Sequence, residues 1–154
     1  MKHLVLAISL LGVAAPAASA QDLAAVPDLK GTWSGKGKAV VFGTNAHHPG
    51  KKTAGKKATA DQPRVRDVTA THIVEGQDGR VAWGRSSSTV ADEKEPFVWA
   101  LTNDNRSIIG ADLDGYFRIT MITPDRMEKC YVHNGTSPSR SVVATCYLMD
   151  RAKR

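Results

Sequence analysis

After its first twenty residues, the sequence lacks the 3.6-residue apolar period that an amphipathic helix requires. It also has no P-loop, no dinucleotide-binding fingerprint and no Gly-x-Ser-x-Gly motif. Cysteine is scarce: there are two residues, and they do not form a Cys-x-x-Cys pair, which disfavours a redox or metal site built on thiols. These absences argue against nucleotide-binding and serine-hydrolase enzymes. We therefore predict a non-enzymatic protein with no catalytic residues and no cofactor.

The N-terminal residues have the pattern of a secretory signal peptide. Lys2 supplies a positive charge, an apolar run extends from Leu4 to about Ala15, and Ala18-Ser19-Ala20 is the small-x-small sequence that signal peptidase accepts. The apolar run is shorter than the roughly 20 residues that a membrane-spanning helix needs. We predict that residues 1–20 are a signal peptide cleaved after Ala20, and that the protein is periplasmic or secreted. Residues 21–154 then form a single domain.

The rest of the chain repeats one pattern: five to ten residues rich in Val, Ile, Thr and aromatics, then a cluster of Gly, Asp, Asn or Pro. This alternation is typical of antiparallel β-strands joined by turns. The predicted strands cover residues 31–42, 64–75, 80–90, 97–101, 107–112, 116–122, 127–133 and 141–149. Asp114-Gly115 predicts a type I′ hairpin turn between the fifth and sixth. We expect an all-β fold, an eight-stranded antiparallel up-and-down meander closed into a barrel, because closure removes exposed sheet edges.

The two cysteines, Cys130 and Cys146, lie on the seventh and eighth predicted strands at nearly mirrored positions about the connecting loop. An even number of cysteines in an exported chain favours pairing. We predict one disulfide across the C-terminal hairpin.

Gly31-Thr32-Trp33 opens the first predicted strand. It resembles the Gly-x-Trp opening of the calycin barrels, which are the lipocalins and the avidins. The three residues are more similar to the avidin pattern than to the lipocalin pattern. The resemblance implies a barrel that can hold one small ligand. The following Ser34, Gly35 and Lys36 depart from the avidin pattern, so biotin binding is not carried over. The chain also resembles small exported bacterial proteins of no known activity that have Asn-Ala-His-His-Pro-Gly, here residues 45–50, after the first strand.

The aromatic side chains expected inside such a barrel form either its core or the wall of a pocket, and the sequence leaves both possibilities open. If the interior is open, the residues expected to contact a ligand are Trp33, Trp83, Trp99 and Tyr116.

A long basic loop, about residues 47–63, follows the first strand, and the basic residues continue into the second strand. The net charge of the whole chain is +6. The clustered cations are Lys51, Lys52, Lys56, Lys57, Arg64 and Arg66. Such a segment can neutralise the phosphates, sulfates or carboxylates of a polymer, such as lipopolysaccharide, a heparin-like glycan or extracellular nucleic acid. A solvated loop that only keeps the protein soluble is the alternative.

Two further groups of side chains could bind a metal, but neither has enough ligands. His47-His48 is a weak candidate pair, because adjacent residues of an extended chain point in opposite directions. Asp112-Leu113-Asp114-Gly115 lacks the terminal Glu of an EF-hand loop, and a hairpin turn explains it. We predict no metal site.

Three hypotheses for function follow from these patterns. The first is an exported, non-catalytic binding protein that engages a small ligand in the barrel or a partner through its loops. The second is a surface polyanion binder that uses the basic loop. The third is a hydrolase inhibitor that inserts a loop into an active site. The ligand, the partner and the oligomeric state are not specified by the sequence.

The polyanion hypothesis predicts retention on immobilised heparin. Replacing Lys51, Lys52, Lys56 and Lys57 together by Ala should lower the eluting salt concentration markedly, because each lost phosphate or sulfate contact reduces the salt dependence of binding. Elution of the variant and the unaltered protein at the same salt concentration would rule this hypothesis out.

Overall fold

The computed structural model describes residues 25–42, 62–89, 91–134 and 142–153. These residues form eight β-strands: β1 (Gly31–Phe42), β2 (Arg64–Asp78), β3 (Val81–Ser88), β4 (Ala91–Leu101), β5 (Ser107–Ala111), β6 (Tyr116–Thr123), β7 (Arg126–Asn134) and β8 (Val142–Arg151). None of the described residues belongs to a helix that is long and apolar enough to cross a membrane.

Each strand pairs in antiparallel fashion with the next, and β1 also pairs with β8, so the sheet is a closed barrel. This confirms the predicted eight-stranded up-and-down barrel. The largest difference in strand bounds concerns β4, which begins at Ala91, so that the charged segment 92–96 expected as a turn extends a strand instead. Its pairing with Ser86 and Arg85 of β3 supplies the backbone hydrogen bonds that a turn would have left to water.

Alternate residues of every strand face the interior, as the two-residue period requires. The buried apolar side chains are Leu29, Trp33, Ala39, Val41, Val68, Ala70, Val74, Ala82, Phe97, Trp99, Leu101, Ile108, Phe117, Ile119, Met121, Met127, Val143, Tyr147 and Met149. Large side chains such as Trp33, Met127 and Met149 lie towards the end where β1 begins, which we call the base. The opposite end, where β1 ends and β2 begins, is called the far end; small inward residues such as Ala39 and Val41 lie there.

The base is closed by the segment that precedes β1. Leu29 is fully buried, and its N–H donates to Gln77 Oε1 (2.7 Å). Its carbonyl accepts from Trp33 Nε1 (2.9 Å), and the Arg151 guanidinium lies 4.5 Å from the centre of the Trp33 ring. The indole of Trp33 is thus hydrogen-bonded and stacked, which makes it part of the core that seals this end.

Glycines allow the backbone of a neighbouring strand to approach closely at two places in the barrel. A Cβ at Gly35 of β1 would lie 2.2 Å from the Leu148 carbonyl oxygen, so the β1–β8 closure needs a residue without a side chain there. At Gly115, a Cβ would lie 2.4 Å from the Val132 carbonyl oxygen. Positive φ occurs at neither Asp114 nor Gly115, so the predicted type I′ turn is wrong. Asp112 Oδ1 instead accepts from both backbone N–H groups and holds the turn.

Cys130 and Cys146 are directly opposite each other in the β7–β8 register and form a disulfide, as predicted. Their neighbours in the strands, Lys129 and Tyr147, face inward, so the disulfide lies on the outer surface of the barrel.

The disulfide should stabilise the protein mainly by restricting the unfolded chain. For a sequence separation of 16 residues, the loop-closure model gives about 3 kcal/mol. We expect the double variant Cys130→Ala/Cys146→Ala to lose roughly that free energy of unfolding in urea, and the reduced unaltered protein to match it. A loss below about 1 kcal/mol would show that the barrel contacts alone hold the hairpin together.

Candidate functional site

A lysine lies inside the barrel. Lys129 is on β7 between Met127 and Tyr131, which both face the interior, and only 4 % of it is exposed. Its Nζ is 2.5 Å from His72 Nε2 and 4.0 Å from the centre of the Phe117 ring. Because β2 and β7 are separated in the barrel by β1 and β8, this hydrogen bond crosses the interior.

His72 is almost fully buried on β2 and is surrounded by aromatic rings. Its ring centre lies 5.2 Å from that of Phe97, 5.8 Å from that of Trp99 and 5.7 Å from that of Phe117. Together with Lys129, these residues form an enclosed polar pair in an aromatic setting, which we call the Lys129–His72 site. The low polarity of such a setting strengthens electrostatic interactions and penalises charge.

Burial governs the protonation of both groups. Removal from water lowers the pKa of Lys129 to about 7, and the charge of Asp112 opposes part of this effect. Burial also holds the pKa of His72 well below its usual range, and the nearby charge of Lys129 lowers it further. The shared proton therefore resides on the lysine, whose Nζ donates to His72 Nε2. The imidazole is then neutral and carries its own hydrogen on Nδ1.

No carboxylate among the described residues forms a salt bridge with Lys129. A buried ammonium without a carboxylate partner costs several kcal/mol, and replacement of a buried charge by an apolar residue of similar size commonly stabilises a protein. The fold therefore carries a destabilising group in its interior. Groups of this kind are concentrated at functional sites, where the perturbed proton affinity is used.

Three further nitrogen atoms near the interior are buried without a hydrogen-bond partner in the described part of the chain: His72 Nδ1, Trp99 Nε1 and Arg66 Nε. All three carry hydrogen and are donors. An unsatisfied buried donor costs about 1–3 kcal/mol, so native structures normally pair such groups. His72 Nδ1 belongs to the ring that contacts the buried amine, and the Trp99 ring centre lies 5.8 Å from that of His72, whereas Arg66 lies six residues away on β2.

Arg64 and Arg66 of β2 add positive charge near the far end of the barrel. They have the same parity on β2 as the buried Val68 and His72, with no register shift between them, and so they face inward. Val65 is 63 % exposed and lies on the outer face. Burial and the charge of Arg64 lower the pKa of Arg66 from its ordinary value. The two guanidinium groups thus carry like charges close to each other at this end of the barrel.

The wall near Lys129 also contains two phenols. Burial, with smaller contributions from Asp112, Asp114 and Glu95, raises the pKa of Tyr131 above its usual range, and burial alone does so for Tyr147. Both phenols stay neutral at physiological pH, so the anion-attracting charge of the wall comes from lysine and arginine.

The structure distributes the predicted site residues among different environments. Trp33 and Trp99 are buried inside, whereas Trp83 (46 % exposed) and Tyr116 (66 % exposed) face outward from β3 and β6 and do not line the interior. Arg64 and Arg66 face inward from the barrel wall. The remaining predicted basic residues, Lys51, Lys52, Lys56 and Lys57, and the histidines His47 and His48, lie outside the described residues. Within the described residues, no three His, Cys, Asp or Glu side chains are grouped to hold a metal.

Sequence reasoning did not select Lys129 or His72. A signal was present: Met127, Lys129, Tyr131 and His133 alternate along one predicted strand, and a lysine on the same face as a methionine is unusual for a core. The partner of the lysine could not be identified in this way, because it lies 57 residues away on a strand that is not adjacent.

A cavity lies on the outside of the base, with a volume of about 490 Å³. It is lined by Asp28, Asp125, Asp150, Arg151, Ala152 and Lys153. Arg151 pairs with Asp125 (3.2 Å) there, and Arg126 with Asp150 (3.5 Å). Two of the carboxylates that line this cavity, Asp125 and Asp150, are therefore paired with arginines.

Comparison with protein families, with curated proteins and with solved structures finds no match to this chain. The resemblance to calycin barrels accordingly stays a prediction from the sequence.

The pKa of Lys129 predicts how stability depends on pH. The unfolded lysine titrates at 10.5 and the folded one at about 7, so between these values the unfolded chain binds more protons. The free energy of unfolding should therefore rise with pH over that window, and the cost of the buried charge should be present in full below it. Lys129→Met should stabilise the protein by a few kcal/mol at about pH 6.5, and the gain should shrink towards pH 10.

Urea unfolding at several pH values measures this effect. Lys36→Met, which replaces an exposed lysine of β1, is the matched control and should show the pH profile of the unaltered protein. If Lys129→Met had no more effect than Lys36→Met at any pH, Lys129 would have to be accessible to water in the folded state.

Proposed function

We propose that this protein is an exported, non-catalytic binding protein that holds a small ligand inside the barrel. The ligand has an apolar, preferably aromatic, body and an acidic group. The observation that carries the proposal is the set of buried donors without partners in the described chain, His72 Nδ1, Trp99 Nε1 and Arg66 Nε, on the same interior as Lys129, which has no salt bridge to a carboxylate.

Charge favours an acidic group as the acceptor. Lys129 and Arg66 present positive charge to the interior, and burial lowers the pKa of both groups. A carboxylate, sulfonate or phosphate placed there would pair with them, and charge-assisted hydrogen bonds are about twice as strong as neutral ones. The favourable interaction would offset the desolvation cost that the empty site carries.

The aromatic rings favour an apolar body. Phe97 and Trp99 pack with ring centres 4.6 Å apart, and Phe117 and Tyr131 with centres 5.3 Å apart. Ligand sites typically combine such apolar walls with a few polar groups that fix orientation. A small aromatic acid matches both features, with its ring beside Trp99 and its acidic group towards Arg66.

Export follows from the predicted signal peptide, and the disulfide between Cys130 and Cys146 supports it, because such bonds persist in oxidising compartments. A periplasmic or secreted barrel would meet small acids taken up or released by the cell.

Binding of 1-anilinonaphthalene-8-sulfonate tests the proposal, with the uncharged N-phenyl-1-naphthylamine as its matched analogue. The sulfonate should bind to the folded protein with enhanced fluorescence. Arg66→Gln should weaken it by a factor of roughly 10 to 100, the value of about 1.5–3 kcal/mol for a hydrogen bond to a charged group. The uncharged analogue should be affected far less.

Arg118→Gln is the control, because Arg118 is exposed on the outer face of β6. It should leave both affinities unchanged. Equal losses in Arg66→Gln and Arg118→Gln, or no binding of the sulfonate to the unaltered protein, would contradict an anion site inside the barrel.

A further inference from the structure

The Lys129–His72 site places a primary amine in an apolar enclosure, and we propose that Lys129 condenses with an aldehyde group of the bound ligand to form an imine. The ligand class is then an aromatic or unsaturated aldehyde that also carries an acidic group. This inference rests on the proposed function, because the ligand must first enter the barrel.

The surroundings of Lys129 favour this reaction over simple ion pairing. Its Nζ is fixed by His72 at 2.5 Å and by the face of Phe117 at 4.0 Å, and no described carboxylate forms a salt bridge with it. A salt-bridged amine would be held in its charged, unreactive form. Enclosure also protects an imine, since water that would hydrolyse it is kept out.

The protonation state of Lys129 supports the same conclusion. An exposed lysine, with a pKa near 10.4, has only about one neutral amine in a thousand at physiological pH. Burial lowers the pKa of Lys129 to about 7, so about half or more of the molecules carry the free amine. The neutral amine is the nucleophile, and desolvation is an established way of activating a lysine for imine formation.

A hydrogen-bond donor near the Lys129–His72 site can stabilise the aldehyde oxygen during the reaction. When the nitrogen lone pair of Lys129 attacks the aldehyde carbon, the C=O π electrons move to the oxygen, which becomes negatively charged. Trp99 Nε1–H has no hydrogen-bond partner in the described chain, its ring centre lies 5.8 Å from that of His72, and it can donate to an oxygen placed beside it. Preformed donors at a developing oxyanion accelerate carbonyl addition.

The complete step balances as amine plus aldehyde giving imine plus water. After the C–N bond forms, one proton of the nitrogen passes through His72 Nε2 to the oxygen, which gives the neutral carbinolamine. The nitrogen lone pair then forms the C=N bond as the C–O bond breaks. The second proton of the nitrogen passes through His72 Nε2 to the leaving hydroxyl group, which departs as water. No oxidant or reductant takes part.

The test uses 4-carboxybenzaldehyde as the probe and sodium cyanoborohydride to reduce the imine to a stable secondary amine. Peptide mapping by mass spectrometry of the full chain should locate one adduct at Lys129. The adduct should be absent in Lys129→Met and unchanged in Lys36→Met. Excess 4-methylbenzoate, which has the acid but no aldehyde, should block it.

The outcomes separate this inference from the proposed function. If both compounds displace the anilinonaphthalene sulfonate but no adduct forms on Lys129, the covalent step is overturned and the binding function stands. An adduct spread evenly over exposed lysines overturns the covalent step as well. If neither compound displaces the fluorescent probe and nothing is trapped, both proposals fall.

His72→Gln examines the assigned proton transfer. The Gln side chain can still accept from Lys129 but cannot carry the proton, so adduct formation should slow by about 10² or more while its final extent is kept. An unchanged rate in this variant would show that His72 does not carry the proton, and that part of the inference would be abandoned.

Discussion

The pairing of β1 with both β2 and β8 is the constraint on which the rest of the structure depends. Once the sheet closes, every strand has one face that must point into the same small volume. The side chain of a residue at an inward-facing strand position is therefore enclosed by the barrel, whatever its chemistry. Lys129 is buried for this reason, and the same closure brings His72 within hydrogen-bond distance although β1 and β8 lie between their strands.

The two ends of the barrel interior are built differently. At the base, Trp33 gives its indole hydrogen to Leu29 and lies under Arg151, so the polar atoms that pack there have partners. Towards the far end, the small inward residues Ala39 and Val41 of β1 lie beside Arg66 and Arg64 of β2. His72, whose Nδ1 has no partner in the described chain, lies opposite Trp33 in the β1–β2 register, so polar groups also enter the base half of the interior. The closely packed apolar side chains around them offset the cost of burying these groups.

Much of the fold could be predicted because β-strand signals are local. The two-residue period placed Trp33 and Val41 on one face of β1, and Cys130 opposite Cys146, as the structure has them. The turn at Asp114-Gly115 failed because glycine has two uses that look alike in sequence: positive φ and close approach of another strand. Gly115 serves the second, which depends on Val132 in β7. Trp83 shows a related limit. Its strand was predicted correctly, but Trp83 was expected to face the interior and it faces outward.

The sequence by itself determined the alternation, the number of strands and the pairing of the two cysteines, because each depends on residues close in the chain or on a count of two. It also determined that Lys129 shares a strand face with Met127 and Tyr131. Only the tertiary structure decided that this face is the inner one, that His72 meets the lysine across the barrel, and that Arg66 lies on the inner face of β2. These outcomes depend on contacts between distant segments in a shared, water-poor interior, and burial there is what changes the chemistry of the amine.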